Sequence, residues 1–172
     1  MAEEIVNRVA KSGLITLDLE EFYPQGERVL YDLKNNLWQG IALKEKDFRE
    51  FIKTNDWSVY QDKYVALHCS VDAIIPTWAY MLLTTKIAPY AKKVVFGTLD
   101  TLEEVLFEEA LSTIKLSDYQ DARIVIKGCS DKAVPASAYV KLTALLQSHA
   151  KVLMYGEPCS TVPLWKRPIK KS

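Results

Sequence analysis

Three cysteines carry the one chemical pattern that repeats in this sequence. Each is followed by serine and then, four to seven residues on, by proline: Cys69-Ser70 with Pro76, Cys129-Ser130 with Pro135, and Cys159-Ser160 with Pro163. The first two belong to longer matching stretches. Cys69 to Tyr80 and Cys129 to Tyr139 share Cys-Ser, an alanine, a β-branched residue, proline, two residues and Ala-Tyr. Each is followed downstream by an Ala-Lys run that ends in an aromatic residue and glycine, Phe96-Gly97 and Tyr155-Gly156. Thiolates ligate zinc, iron and iron–sulfur clusters and act as nucleophiles in sulfur chemistry. Cys69, Cys129 and Cys159 are therefore the candidate metal ligands. No Cys-x-x-Cys pair occurs, so the local signature of a zinc ribbon or a thioredoxin-like site is absent, and the fold must assemble any metal site from separate segments.

Three thiolates suffice for a metal with an open position, whereas a structural zinc takes four protein ligands. Asp72, Asp131 and Glu157 are oxygen donors from the same loops, and His68 is the adjacent nitrogen donor. If a strand continues through His68 and Cys69, their side chains point to opposite faces, which makes His68 a core or supporting group. His149, at the end of a helical segment, reads as a residue favoured there by the helix dipole.

The elements that must position these residues follow from hydrophobic pattern. Short apolar runs at 64–68, 93–96, 123–126 and 152–155 alternate with helix-length segments at 76–88, 102–114 and 135–148. Such alternation predicts an α/β fold: an open, mostly parallel sheet with helices on both faces, containing an internally duplicated βαβ unit at about 64–97 and 123–156. Upstream, the pattern predicts a helix over 3–11, a strand over 14–19, a turn at 23–26 and a helix over 44–54; between them 28–33 and 37–43 read as two strands in preference to a strand and an irregular helix. The chain reads as a single α/β domain, 1–172, with 1–60 as an N-terminal subdomain packed on the same sheet. Cys69 and Cys129 then fall at the carboxyl ends of strands, where ligands of open α/β sheets bind. Pro76 and Pro135 suit the first turn of the following helices, and helix N-termini favour thiolate. If the strands ending at His68, Gly128 and Gly156 are neighbours, the three sulfurs meet.

Composition removes several function classes. Among 172 residues, 22 Lys plus Arg balance 22 Asp plus Glu, so there is no basic field to draw in nucleic acid. No run approaches the roughly 20 apolar residues that span a bilayer, and residues 1–8 lack a signal-peptide core. A cytoplasmic protein with reduced thiols is expected, with no membrane and no nucleic-acid partner. The glycine-rich nucleotide motifs, His-Glu-x-x-His and Gly-x-Ser-x-Gly are all missing, and the stretch after Cys69 lacks the Gly and Arg of an oxyanion-cradling loop. The basic run 166–171 reads as a soluble terminus.

Glu4 to Glu20, Leu43 to Phe51 and the three Cys-Ser motifs resemble the Bacteroidetes family known as domain of unknown function 2480, over nearly the whole chain. The resemblance carries over no catalytic residues. It implies a link to iron–sulfur cluster assembly, with iron–sulfur assembly proteins as partners.

Three readings stay open. One is a metal or iron–sulfur accessory protein holding zinc, iron or a cluster through the three cysteines. Another is a non-enzymatic interaction module with structural cysteines, using Trp38, Trp57 or Trp165 at a partner surface. The third is a thiol enzyme handling sulfane sulfur.

Overall fold

The structure, a computed structural model, describes residues 13–128, 131–157 and 160–169. The expected helix over 3–11, Cys129 and Cys159 lie outside the described residues. The chain divides into two compact units, one formed by residues up to Pro24 and from Leu106 onward, the other by Gln25–Val105. Each unit is a mostly parallel α/β structure.

In the Gln25–Val105 unit, β2 (Arg28–Asp32), β3 (Tyr64–His68) and β4 (Lys93–Phe96) form a sheet in the order β2-β3-β4, every pair parallel. Val65, Ala66 and Leu67 of β3 are all buried. Successive strand residues face opposite sides, so both faces of this central strand are covered. Helix α2 (Thr77–Ile87) crosses from β3 to β4 and buries Ala79, Leu83 and Ile87, one side chain per turn. Helix α1 (Glu45–Thr54) adds Phe48 and Ile52 to the same core, where Trp57 donates its indole N–H to the Ile52 carbonyl at 3.0 Å.

In the other unit, β1 (Leu14–Leu17), β5 (Arg123–Ile126), β6 (Val152–Glu157) and β7 (Ser160–Lys166) form a sheet in that order, parallel except for the antiparallel β6–β7 hairpin. Helix α4 (Ala136–Gln147) crosses from β5 to β6 and buries Ala138, Leu142 and Leu146. Phe107 and Leu111, from the end of α3 (Leu99–Ser112), complete this core.

The two units follow the same course in detail. Each begins with an edge strand that leads into an aspartate, Asp18 just after β1 and Asp32 as the last residue of β2, which accepts a backbone N–H two residues on and starts a turn of 3-10 helix. Asp62 and Asp121, both in the left-handed region at φ 59° and 58°, each donate an N–H to the carbonyl of a residue just beyond the helix, Tyr90 or His149. Pro76 and Pro135 both stand immediately before the helices rather than inside the first turn. Their extended ψ of 141° and 147° turns the chain into the helix, and each carbonyl accepts the first helical N–H.

Several expectations change. The strands belong to two sheets rather than one, because β1 pairs with β5 while β2 pairs with β3; apolar periodicity identifies strands but does not choose their neighbours. Residues 37–43 form no strand. Gln39 and Gly40, at φ 50° and 70°, reverse the chain so that only isolated bridges Trp38–Ala42 and Ala42–Ile74 form. The strand after Cys159, β7, is longer than any other described strand and is absent from the sequence prediction; Pro163 and a bulge between its partners Leu153 and Met154 interrupt the pattern by which strands are recognised.

Candidate functional site

At the carboxyl edge of β2-β3-β4, Asp32 organises the loop that carries Cys69. Its carboxylate accepts the Ser70 hydroxyl at 2.6 Å and the N–H groups of Ser70 and Lys34 at 3.1 and 3.0 Å. Burial opposes ionisation of this group, but these donors and the Lys34 ammonium outweigh it and bring its pKa down to about 2. Cys69 is half-buried against the unit's core and donates its S–H to the Val71 carbonyl at 3.4 Å. Its thiol is thus packed and locally satisfied, which is how a small apolar residue behaves. His68 is the register partner of Asp32 and is half-buried, and Asp72 is exposed on the loop. Tyr80, which meets the Phe96 ring edge-on at 4.9 Å, has its phenol pKa raised by burial and by the nearby Cys69 and Asp32. Phe96 itself is 67% exposed.

The carboxyl edge of the second sheet is more highly charged. Burial disfavours the Asp18 carboxylate, yet the Lys127 ammonium, 2.9 Å away, and the Glu20 N–H hold its pKa below the ordinary value. Hydrogen bonding to Asp18 and the charges of Asp18, Glu157 and Glu20 raise the pKa of Lys127. Glu20 in turn accepts the N–H of Lys132 at 2.7 Å. Glu157, at the end of β6, has its Oε1 buried with no hydrogen-bond partner among the described residues. A buried acceptor left without a donor is costly. Asp131 is exposed.

Backbone packing fixes this edge. The Tyr155 ring passes so close to Gly128 that a Cβ there would lie 2.9 Å from it, and the Tyr155 hydroxyl donates to the Gly128 carbonyl at 3.4 Å. The register pairs Ile126 with Tyr155, so the strands leading to Gly128 and Glu157 end side by side. Cys129 follows Gly128 directly and Cys159 is two residues beyond Glu157. Beside this edge, Ile126, Tyr139, Val140, Thr143, Tyr155 and Leu164 line an apolar groove of about 310 Å³.

Among the described residues no three His, Cys, Asp or Glu side chains form a metal-holding group. Of the tryptophans considered for a partner surface, Trp57 is buried, Trp165 half-buried and Trp38 exposed. Motif and spacing do not mark the charged residues Asp18, Asp32 and Lys127. The available signal was an aspartate between two core residues in both Leu17-Asp18-Leu19 and Tyr31-Asp32-Leu33, an arrangement in which a carboxylate needs a dedicated set of donors.

A family model described as protein of unknown function (DUF2480) matches residues 3–167. Comparison with curated proteins and with solved structures found no match. Among the described residues no helix is long and apolar enough to cross a membrane.

Proposed function

We propose, for a chain that belongs to the DUF2480 family, that the carboxyl edge of β1-β5-β6-β7 is a thiolate metal site for zinc or iron, with Cys129, Cys159 and Glu157 as its ligands. The observation that carries this reading is the buried Glu157 Oε1, which has no hydrogen-bond partner among the described residues. A carboxylate oxygen in that situation suits a cation, and two thiolates with one carboxylate make a three-ligand set with an open position. Electrostatics agree. Asp18, Glu20 and Glu157 outnumber Lys127 and Lys132 by three to two before any thiolate is counted, so the edge attracts positive charge. Cys69, which donates locally to Val71, is left out of the set. In this reading the protein is an accessory to iron–sulfur cluster assembly and its partners are iron–sulfur assembly proteins. The matching course of the two units is read as an internal duplication in which only one edge kept a metal site.

Elemental analysis of protein purified without oxygen tests the proposal. About one equivalent of zinc or iron per chain is expected, lost in Cys129→Ala/Cys159→Ala, lowered in Glu157→Gln and unchanged in Cys69→Ala. Metal-free protein whose thermal stability ignores chelators overturns it.

A second reading, an interaction module, is favoured by the groove of Ile126, Tyr139, Val140, Thr143, Tyr155 and Leu164, which is apolar and flanked by tyrosines as interface anchors are. Binding of a purified assembly protein that survives loss of all three cysteines but not Val140→Glu supports this reading; binding lost with the cysteines counts against it.

A further inference from the structure

The chain leaving β2 turns at once through Leu33–Asn36, reverses at Trp38–Ala42 and enters α1 beyond Lys44. Between this loop and the first turns of α1 lies a second cavity of about 310 Å³. It follows directly from the carboxyl end of a parallel strand, the edge at which α/β proteins bind their ligands, and its size is that of a small-metabolite pocket.

The lining is unlike that of the apolar groove. Phe48, 2% exposed, and Phe51 form an apolar wall from α1, and the Trp38 indole, 45% exposed, stands on the loop side. Asn36 secures the turn by accepting the Tyr31 hydroxyl at 2.7 Å. Two charged side chains of opposite sign line the same space, Lys44 and Asp47. The Lys44 ammonium rests 4.0 Å from the Trp38 ring centroid, a cation–π contact that holds it at the cavity. Lys44 and Asp47 are three residues apart, so they face the same side of the helix start. Neither forms an ion pair or a side-chain hydrogen bond among the described residues, although the neighbouring Glu45 is paired with Arg49 at 2.8 Å.

From this arrangement we infer that the cavity binds a small zwitterion with an apolar body, the chemistry of a free hydrophobic α-amino acid. The ligand carboxylate meets Lys44, its ammonium meets Asp47, and its side chain lies against Trp38, Phe48 and Phe51. A ligand carrying a single charge leaves one of the two protein charges uncompensated on binding, and an uncharged one leaves both. The ligand's opposite charges are what the separated pair selects.

Titration calorimetry on the full chain with L-leucine and L-phenylalanine tests the inference. Saturable binding at one site is expected. Blocking the ligand's ammonium by N-acetylation, or its carboxylate as the amide, is expected to weaken binding by about tenfold or more. Lys44→Met and Asp47→Asn are each expected to do the same to the free amino acid, while Lys44→Arg retains it, with near-ultraviolet circular dichroism unchanged throughout. No saturable binding of either amino acid up to about 10 mM, equal binding of the blocked derivatives, or binding that survives both charge-removing substitutions overturns the inference.

Discussion

The Ser70 side chain and backbone both donate to one carboxylate, Asp32, at 2.6 and 3.1 Å, and so fasten the Cys69 loop to the end of a strand 38 residues away. The carboxylate form is the one these donors favour, and its pKa falls from 3.8 to about 2. A depressed carboxylate contributes stability that is fully present above its unfolded value and is lost as pH falls through the folded one. Asp32→Asn is therefore expected to be less stable than the parent at neutral pH, by roughly 1–2 kcal/mol. The difference is expected to shrink as pH is lowered from about 4 toward 2, where the parent also loses its charge. Urea unfolding of both proteins across this range measures the gap.

Asp18 and Lys127 form the corresponding link in the other unit, where an ion pair replaces the serine clamp. The carboxylate is 19% exposed and the ammonium 35%, so removing either partner leaves a half-buried charge behind. Asp18→Asn and Lys127→Met are each expected to lower the melting temperature, and the double variant to be little worse than the poorer single one. Thermal melts of all four proteins decide the point: strictly additive losses mean that the pair is not coupled. Acidification is expected to remove Asp18's contribution below its depressed pKa, and alkali to remove that of Lys127 above its raised one.

Gly156 holds the hairpin from which Glu157 projects. Its φ of 121° is open to glycine alone, and a Cβ would fall 2.5 Å from the Ser160 backbone carbonyl. Backbone cannot give way as a flexible side chain does. Gly156→Ala is expected to cost about 2–3 kcal/mol in thermal or denaturant unfolding and to reduce the metal content proposed for this edge. Gly13→Ala is the control: φ there is also positive, at 61°, but no atom lies within 4 Å of the added carbon, and a loss of about 1 kcal/mol is expected.

Much of the fold is legible in the sequence because α/β units are locally encoded. Val65 to Leu67 and Ile124 to Ile126 are continuous apolar runs of the kind that only a strand covered on both faces requires. Ala79, Leu83 and Ile87, and Ala138, Leu142 and Leu146, recur at helical spacing. Pairing is not local. Nothing in Leu14–Leu17 or Arg28–Asp32 specifies β5 or β3 as neighbour, so two sheets read as one. Cys69 does follow the end of β3, as the Cys-Ser repeat predicts. The polar frames of the two sheet edges escape a sequence reading because Asp32 with Ser70, and Asp18 with Lys127, are joined only when the strands align. Cys69, singled out for chemistry, is occupied by packing and by the Val71 carbonyl, a local contact that no spacing rule foretells.

Arg167 extends this lesson to the basic tail, which reads as a solvated terminus. In the fold its guanidinium donates to the His149 and Ala150 carbonyls at 2.7 and 2.9 Å and pairs with Asp121, while its N–H donates to the Lys151 carbonyl at 2.9 Å. These carbonyls belong to the turn after α4, whose last backbone acceptors have no helical partner. The same turn sets the left-handed Asp121, whose N–H donates to His149. Arg167 thus closes the end of β7 onto the turn between α4 and β6. Arg167→Ala is expected to cost about 1–2 kcal/mol through the lost carbonyl hydrogen bonds. Arg167→Lys is expected to recover only part of it, because one ammonium cannot reach two carbonyls and a carboxylate in the geometry of a planar fork. Hydrogen exchange locates the effect: in Arg167→Ala the amides of β7 and of Lys151 and Val152 are expected to lose protection first, and a loss spread evenly through the unit removes this role for Arg167.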